Sequence, residues 1–182
     1  MRKVVGYLLM TLDGVVEEPG EWLEYFDEDL RENMVEVINA QDAVLLGRMM
    51  YQEWATYWPT ATDEPLFASF INTVPKYVVS TTLSSVDEWQ PAKLIKGNIS
   101  QEIAKLKQQP GKNIGAHGSI ILVCSLLEQG LLDELILIVF PVLVGGGRRL
   151  LNEGDSLKRL KLVSSKSTRT GALILTYQPI RH

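Results

Sequence analysis

Three short stretches of this sequence join glycine, hydroxyl and cationic side chains to the ends of apolar runs: Leu46-Gly47-Arg48-Met49, Val79-Ser80-Thr81-Thr82 and Gly115-Ala116-His117-Gly118-Ser119. In an open α/β sheet such strand ends form the carboxyl edge, where ligands bind. The first turn of a helix presents N–H groups without intrahelical partners and the positive end of the dipole, which suits a phosphate. Gly47 and Gly118 let backbone approach an anion closely, and Arg48 adds a fixed charge with a planar donor fork. Taken singly, each corner also reads as a turn glycine beside a capping serine. Three in one sheet point to a small phosphate-bearing ligand.

Other chemistries find less support. Gly145-Gly146-Gly147-Arg148 is glycine-rich but no Gly-Lys-Ser/Thr follows, so it is no nucleoside-triphosphate loop; it reads as a tight connection after Pro141 and a strand Val142-Leu143-Val144. No Gly-x-Gly-x-x-Gly follows the first strand, which leaves a Rossmann dinucleotide site unsupported. Only His117, His182 and one cysteine are available beside carboxylates that do not cluster, so no metal site is expected. Cys124 lies among Leu122, Val123, Leu126 and Leu127 and reads as a packed thiol.

The elements that must position these corners are legible from periodicity. Strands are expected at Lys3–Met10, Ala43–Leu46, Tyr77–Val79, Lys93–Ile95, Asn113–Ala116 and Leu135–Val139. Helices are expected from Glu28, where Leu30, Met34, Val37 and Ile38 share a face, and at Arg48–Tyr57, Leu66–Asn72, Ser100–Gln108 and Ile120–Gln129. Asp27 or Asp29 can cap the first of these and Asn98 or Ser100 the fourth; Gly130 suits a left-handed helix end. Asp13-Gly14 and Pro19-Gly20 are turn signals in the loop after the first strand. Two last strands, Leu160–Thr168 and Ala172–Gln178, flank a turn at Arg169-Thr170-Gly171. Alternating strands and helices followed by a hairpin give an α/β sandwich, with a mixed sheet of about eight strands and a C-terminal antiparallel hairpin.

The chain has 182 residues, 46% hydrophobic and 22% charged, the composition of one globular domain spanning 1–182. A single cysteine excludes an internal disulfide and fits a reducing compartment. The apolar N-terminal run is too short for a signal peptide or membrane span, so a cytoplasmic protein is expected. The net charge of −4 hides a split: residues 1–91 carry 5 basic and 16 acidic side chains, residues 92–182 carry 13 and 6. The basic residues are scattered, with Arg148, Arg149, Lys158, Arg159 and Lys161 only loosely grouped. That pattern reads as a solvated face rather than a nucleic-acid site.

Several motifs in order resemble a known family. They are Thr11-Leu12-Asp13-Gly14, Gly20-Glu21-Trp22, Asp42-Ala43-Val44-Leu45-Leu46-Gly47-Arg48, Lys76-Tyr77-Val78-Val79-Ser80, His117-Gly118-Ser119, and Leu126 to Leu135 followed by Pro141 to Gly147. Together they are similar to the dihydrofolate-reductase-like proteins related to the reductase domain of the bifunctional riboflavin-biosynthesis enzyme. The resemblance implies a dihydrofolate-reductase-like three-layer sandwich and a homodimer. It implies NADPH across the strand ends, with Gly47, Arg48, Met49 and the Gly115, His117, Gly118, Ser119 turn at the diphosphate. Ser80, Thr81 and Thr82 would meet the adenosine ribose and its 2′-phosphate. The substrate, a pteridine-like or aminopyrimidine ring accepting hydride, would lie between the Asp13 loop and the helix near Asp27. Within that frame Asp13, Asp29 and Glu32 are candidate catalytic carboxylates, although Asp-Gly is also a turn signal and acidic first turns are commonly dipole partners. Asp27 and Trp22 are candidate substrate contacts, Trp22 reading equally as a lid or a core anchor. Met50 and Ile138 stand where the family carries hydroxyl residues; Thr81 stands where it often has a basic one, a departure that bears on NADP against NAD. A nucleotide-binding protein without chemistry is the alternative.

Overall fold

The β-branched and aromatic run after Lys3 forms the central strand of the sheet, β1 (Val4–Thr11), in the computed structural model, which describes residues 1–151 and 156–180. His182 lies outside the described residues. The sheet order is β4-β3-β2-β5-β1-β6-β8-β7, with β2 (Gln41–Gly47), β3 (Lys76–Val79), β4 (Ala92–Ile95), β5 (Asn113–His117), β6 (Glu134–Phe140), β7 (Leu160–Ser167) and β8 (Leu173–Pro179). β4, β3, β2, β5, β1 and β6 pair in parallel, and β8 runs antiparallel to both β6 and β7. The carboxyl ends of six parallel strands therefore share an edge with the β2 and β5 corners side by side.

Helices cover both faces, which makes three layers. Val4, Leu8, Ala43, Leu45, Leu135 and Leu137 pack against α5 (Ile99–Gln108) and α6 (Ile120–Glu128). On the other face Val44, Leu46 and Val78 pack with α2 (Glu28–Asn39), α3 (Arg48–Tyr57) and α4 (Pro65–Thr73). Tyr7, Ile136, Ile138 and Phe140 extend that face toward Leu30. Adjacent Leu45 and Leu46 point to opposite faces and are both fully buried. Each such burial is worth roughly 1.5–3 kcal/mol, so β2 reads as a continuous apolar run and not as an alternating one. Among the described residues no helix is long and apolar enough to cross a membrane.

The caps follow local chemistry. Asp27 accepts from the backbone N–H of Leu30 and caps α2; Asn98 accepts from that of Gln101 and caps α5. Gly130 follows α6 with φ +66°. The expected strand at Val142-Leu143-Val144 does not form. Val142 N–H turns back to Phe140 O, and the N–H groups of Val144 and Gly145 donate to the Asp13 carboxylate, which takes these donors out of any ladder. The stretch expected as loop around Pro19-Gly20 contains one helical turn, α1 (Pro19–Trp22).

Candidate functional site

The shared carboxyl edge opens into a cavity of about 960 Å³, at the upper end of the roughly 300–1,000 Å³ typical of ligand pockets. It runs from the starts of α3 and α6 to the faces of α1, α2 and α4.

At one end the β2 and β5 corners meet. Ser119 occupies the N-cap position of α6, yet its hydroxyl makes no bond to that helix. Instead Ser119 Oγ accepts from the backbone N–H of Gly47 at 3.0 Å, tying the start of α3 to the start of α6. Gly47, the N-cap of α3, has no side chain to cap it. Two helix N-termini thus open on one cavity without side-chain caps, where their free N–H groups and dipoles favour an anion. Gly118 has φ +66°, and a Cβ there would lie 2.9 Å from Met50 Cε, so glycine is needed both for conformation and for space. Gly47, Arg48, Met49, His117, Gly118 and Ser119 all line the cavity.

Gly115 has a different surrounding. It is buried outside the lining, beneath a polar pair in which His117 Nε2 meets Gln41 Oε1 at 2.7 Å. A Cβ at Gly115 would fall 2.6 Å from His117 Nε2 and collide with Gln41 Oε1. The glycine makes room for a hydrogen bond between neighbouring strands. The imidazole sits among Tyr7, Phe67 and Phe70, with ring centroids at 5.7, 5.6 and 6.3 Å. Burial lowers its pKa to about 4, so His117 is neutral at pH 7.

The candidate carboxylates are occupied elsewhere. Asp13 accepts from Thr11 Oγ1 at 2.6 Å, from Gly145 N at 2.8 Å and from Val144 N at 3.2 Å. These bonds, the Thr11 hydroxyl first, lower its pKa to about 2 and fasten the loop after β1 to the glycine-rich loop. Asp27, which is buried, accepts from Leu30 N at 2.9 Å and Thr170 Oγ1 at 2.6 Å. Asp29 takes the Arg169 guanidinium at two atoms, 3.1 Å each, and the Arg169 N–H at 2.9 Å. The two aspartates anchor the β7–β8 turn on the start of α2. Glu32 is exposed on α2, and none of Asp13, Asp27, Asp29 or Glu32 lines the cavity. Trp22 packs edge-on to Phe140 at 5.6 Å and donates from Nε1 to Glu17 O, also outside the lining. Ser80 Oγ accepts from Thr82 N and Leu83 N in its own turn, while Thr81 and Thr82 are exposed beyond the lining.

Residues that the sequence did not mark as ligand contacts complete the cavity. Tyr7 of β1, Met50, Trp54 and Trp58 around α3, Phe67 of α4 and Phe26 and Met34 by α2 form its apolar wall. Glu17, Glu18 and Glu53 stand among the lining residues, with Arg148 from the glycine-rich loop. The sequence signal for this wall is the aromatic density of residues 51–58, a pattern that also fits a helix.

Comparison with known proteins agrees with this architecture. The family model of the RibD C-terminal domain matches residues 2–174. YyaP of Bacillus subtilis (strain 168), an uncharacterized protein, is 30% identical over 179 residues, 97% of this chain and 94% of that one. The crystal structure of a protein assigned to riboflavin biosynthesis from Shewanella sp. PV-4 superposes with a TM-score of 0.78 at 22% identity, over 98% of this chain and 99% of that one. Dihydrofolate reductase from Enterococcus faecalis, complexed with NADP(H), superposes with a TM-score of 0.63 at 10% identity, over 98% and 97%. At such identities the structural likeness establishes the fold, a dihydrofolate-reductase-like sandwich.

Proposed function

Because the chain belongs to the RibD C-terminal domain family, we propose that it is an NADPH-dependent reductase of a pteridine-like or aminopyrimidine ring. One observation carries the reading: two uncapped helix N-termini, joined through Ser119 and Gly47, open on a single large cavity. The residues present suit a dinucleotide, since unpaired N–H groups and Arg48 answer a diphosphate and Gly118 leaves its backbone bare. Gly47, Arg48, Met49, Gly118 and Ser119 would hold the diphosphate, with Thr81 and Thr82 toward the adenosine ribose. Bound there, the cofactor supplies a hydride. The chain itself positions two rings and keeps water out: Phe26, Met34, Trp54 and Phe67 furnish apolar faces, and neutral His117 keeps a charge out of the wall. A small-molecule substrate, a homodimer and a cytoplasmic setting belong to the same reading.

A cofactor-binding protein without turnover is the second reading. It is favoured by the commitment of Asp13, Asp27 and Asp29 to bonds within the protein. Titration with NADPH separates the two. Trp54 and Trp58 line the cavity, so binding should quench tryptophan fluorescence and raise the melting temperature. Oxidation of NADPH in the presence of a pterin or aminopyrimidine supports the reductase, and binding without oxidation supports the second reading. Failure of millimolar NADPH and NADH to change either signal removes both.

A further inference from the structure

The cavity also reaches the outer parallel strands, where three strand ends stand in register. Gly47 of β2 pairs with Val79 of β3, and Val79 pairs with Ile95 of β4. The ladder runs one residue further, because Ser80 N–H donates to Ile95 O at 3.2 Å. The residues that leave this line are Arg48, Ser80 and Lys96. Neighbouring strands lie about 4.8 Å apart, so Arg48 and Lys96 flank the Ser80 turn, one on each side and about 10 Å from each other at the backbone. Arg48, Val79 and Ile99, the first residue of α5, line the cavity.

The turn between the two cations spends one hydroxyl and leaves another. Ser80, which is buried, accepts from Thr82 N at 3.2 Å and from Leu83 N at 3.1 Å. Thr81, between them, is exposed, and its hydroxyl makes no bond among the described residues. Lys96 is exposed too, and its ammonium has neither an ion pair nor a hydrogen bond among the described residues. The Arg48 guanidinium donates to the neutral amide of Gln52 at 3.2 Å and has no carboxylate partner among those residues. Residues 47–52, 79–85 and 95–101 contain no carboxylate, although residues 1–91 carry 16. The next acids along the two helices are Glu53 and Glu102, and Glu102 is paired with Lys105. Two cations without acidic partners beside a free hydroxyl favour a compact anion over a neutral group.

We infer that Lys96 sets a preference for NADPH over NADH, by meeting the adenosine 2′-phosphate across the Thr81 turn from Arg48. The inference rests on the cofactor reading above. It assigns the charge selectivity to the end of β4, since the turn after β3 carries hydroxyls and no cation of its own. A 2′-phosphate bears about −1.5 to −2 charges at pH 7, where NADH has a neutral hydroxyl. That difference is what a lone ammonium at this corner can read.

Dissociation constants for NADPH and NADH are measured by tryptophan quenching on the wild type, Lys96→Gln, Lys96→Arg and Lys93→Gln. The last removes an exposed charge earlier on the same strand. Adenosine 2′,5′-bisphosphate and adenosine 5′-phosphate compete in parallel, so the phosphate end is read apart from the nicotinamide. The wild type should bind NADPH at least about tenfold more tightly than NADH at low salt, and added salt should narrow that gap. Lys96→Gln should weaken NADPH and the bisphosphate by about fivefold, and leave NADH and adenosine 5′-phosphate within about twofold of the wild type. Lys96→Arg should keep the preference, and Lys93→Gln should match the wild type. A lysine with a merely structural role would move both cofactors together with the melting temperature. Equal affinities for NADPH and NADH in the wild type, an unchanged NADPH affinity in Lys96→Gln, or the same loss in Lys93→Gln overturns the inference. Cofactor binding that persists in those cases leaves the cofactor reading standing; binding of neither cofactor at millimolar concentration removes both.

Discussion

Acid should destabilise this protein through one buried ring. His117 lies 4% exposed among Tyr7, Phe67 and Phe70, and its pKa is lowered by burial to about 4. In the unfolded chain a histidine titrates near 6.5. As pH falls, the unfolded chain takes up this proton first, so the ring's contribution to folding stability is constant above about pH 6.5 and declines between there and about pH 4. A shift of this size corresponds to roughly 3 kcal/mol, with no reduction for solvent screening because the ring is inside. That is a large share of the roughly 5–15 kcal/mol that holds a domain folded. The carboxylates act in another window. Asp13 and Asp29, each lowered to about 2, contribute stability that is present above about pH 4 and lost only below it. Urea midpoints measured at intervals from pH 7.5 to 4.5 should therefore fall while the carboxylates are still ionised. His117→Phe keeps an aromatic ring in the cage but strands the Gln41 carbonyl, so it should start about 1–3 kcal/mol lower and lose most of the slope. A flat wild-type profile across that range, or an equal slope in His117→Phe, would refute the assignment of the acid limb to this ring.

Two further substitutions test roles reassigned by the fold. Gly115→Ala should lower stability by roughly 1–3 kcal/mol in urea denaturation, because its methyl meets His117 Nε2 and Gln41 Oε1 in a closed space; an alanine variant as stable as the wild type would place the glycine back among ligand contacts. Asp29→Asn should leave the urea midpoint little changed, since its partner Arg169 is 61% exposed, and should leave any NADPH oxidation rate unchanged; a collapse in turnover at unchanged melting temperature would restore Asp29 to the chemistry.

Much of the fold was legible because single elements carry their own periodicity. Leu30, Met34 and Ile38 declare the buried face of α2, and the continuous run of β6 declares a strand covered on both sides. Asp27 against Asp29 as the cap could not be separated by sequence, since both suit a first turn; Asp27 takes the Leu30 N–H, and the Asp29 carboxylate is drawn to Arg169 of the distant hairpin. Val142 to Val144 has strand-like composition, but Val142 N–H turns back to Phe140 O and the Asp13 carboxylate claims the N–H groups of Val144 and Gly145. The corners around Gly47 and Gly118 were visible as glycine and serine at strand ends. That Ser119 would serve Gly47, and not its own helix, was not.

The sequence by itself determined which segments become strands and helices and where bare N–H groups end up, because propensity, capping and apolar spacing act over a few residues. Only the tertiary structure decided which polar groups are consumed and which are left for a ligand. β2 and β5 are neighbours through crossover connections, so Gln41 reaches His117 and Ser119 reaches Gly47 across more than 70 positions of chain. The same crossovers bring Tyr7, Trp58 and Phe67 to one cavity while hiding Asp27 and Asp29 beneath a hairpin. Hydrogen-bond satisfaction is settled between elements, and no local pattern of residues encodes it.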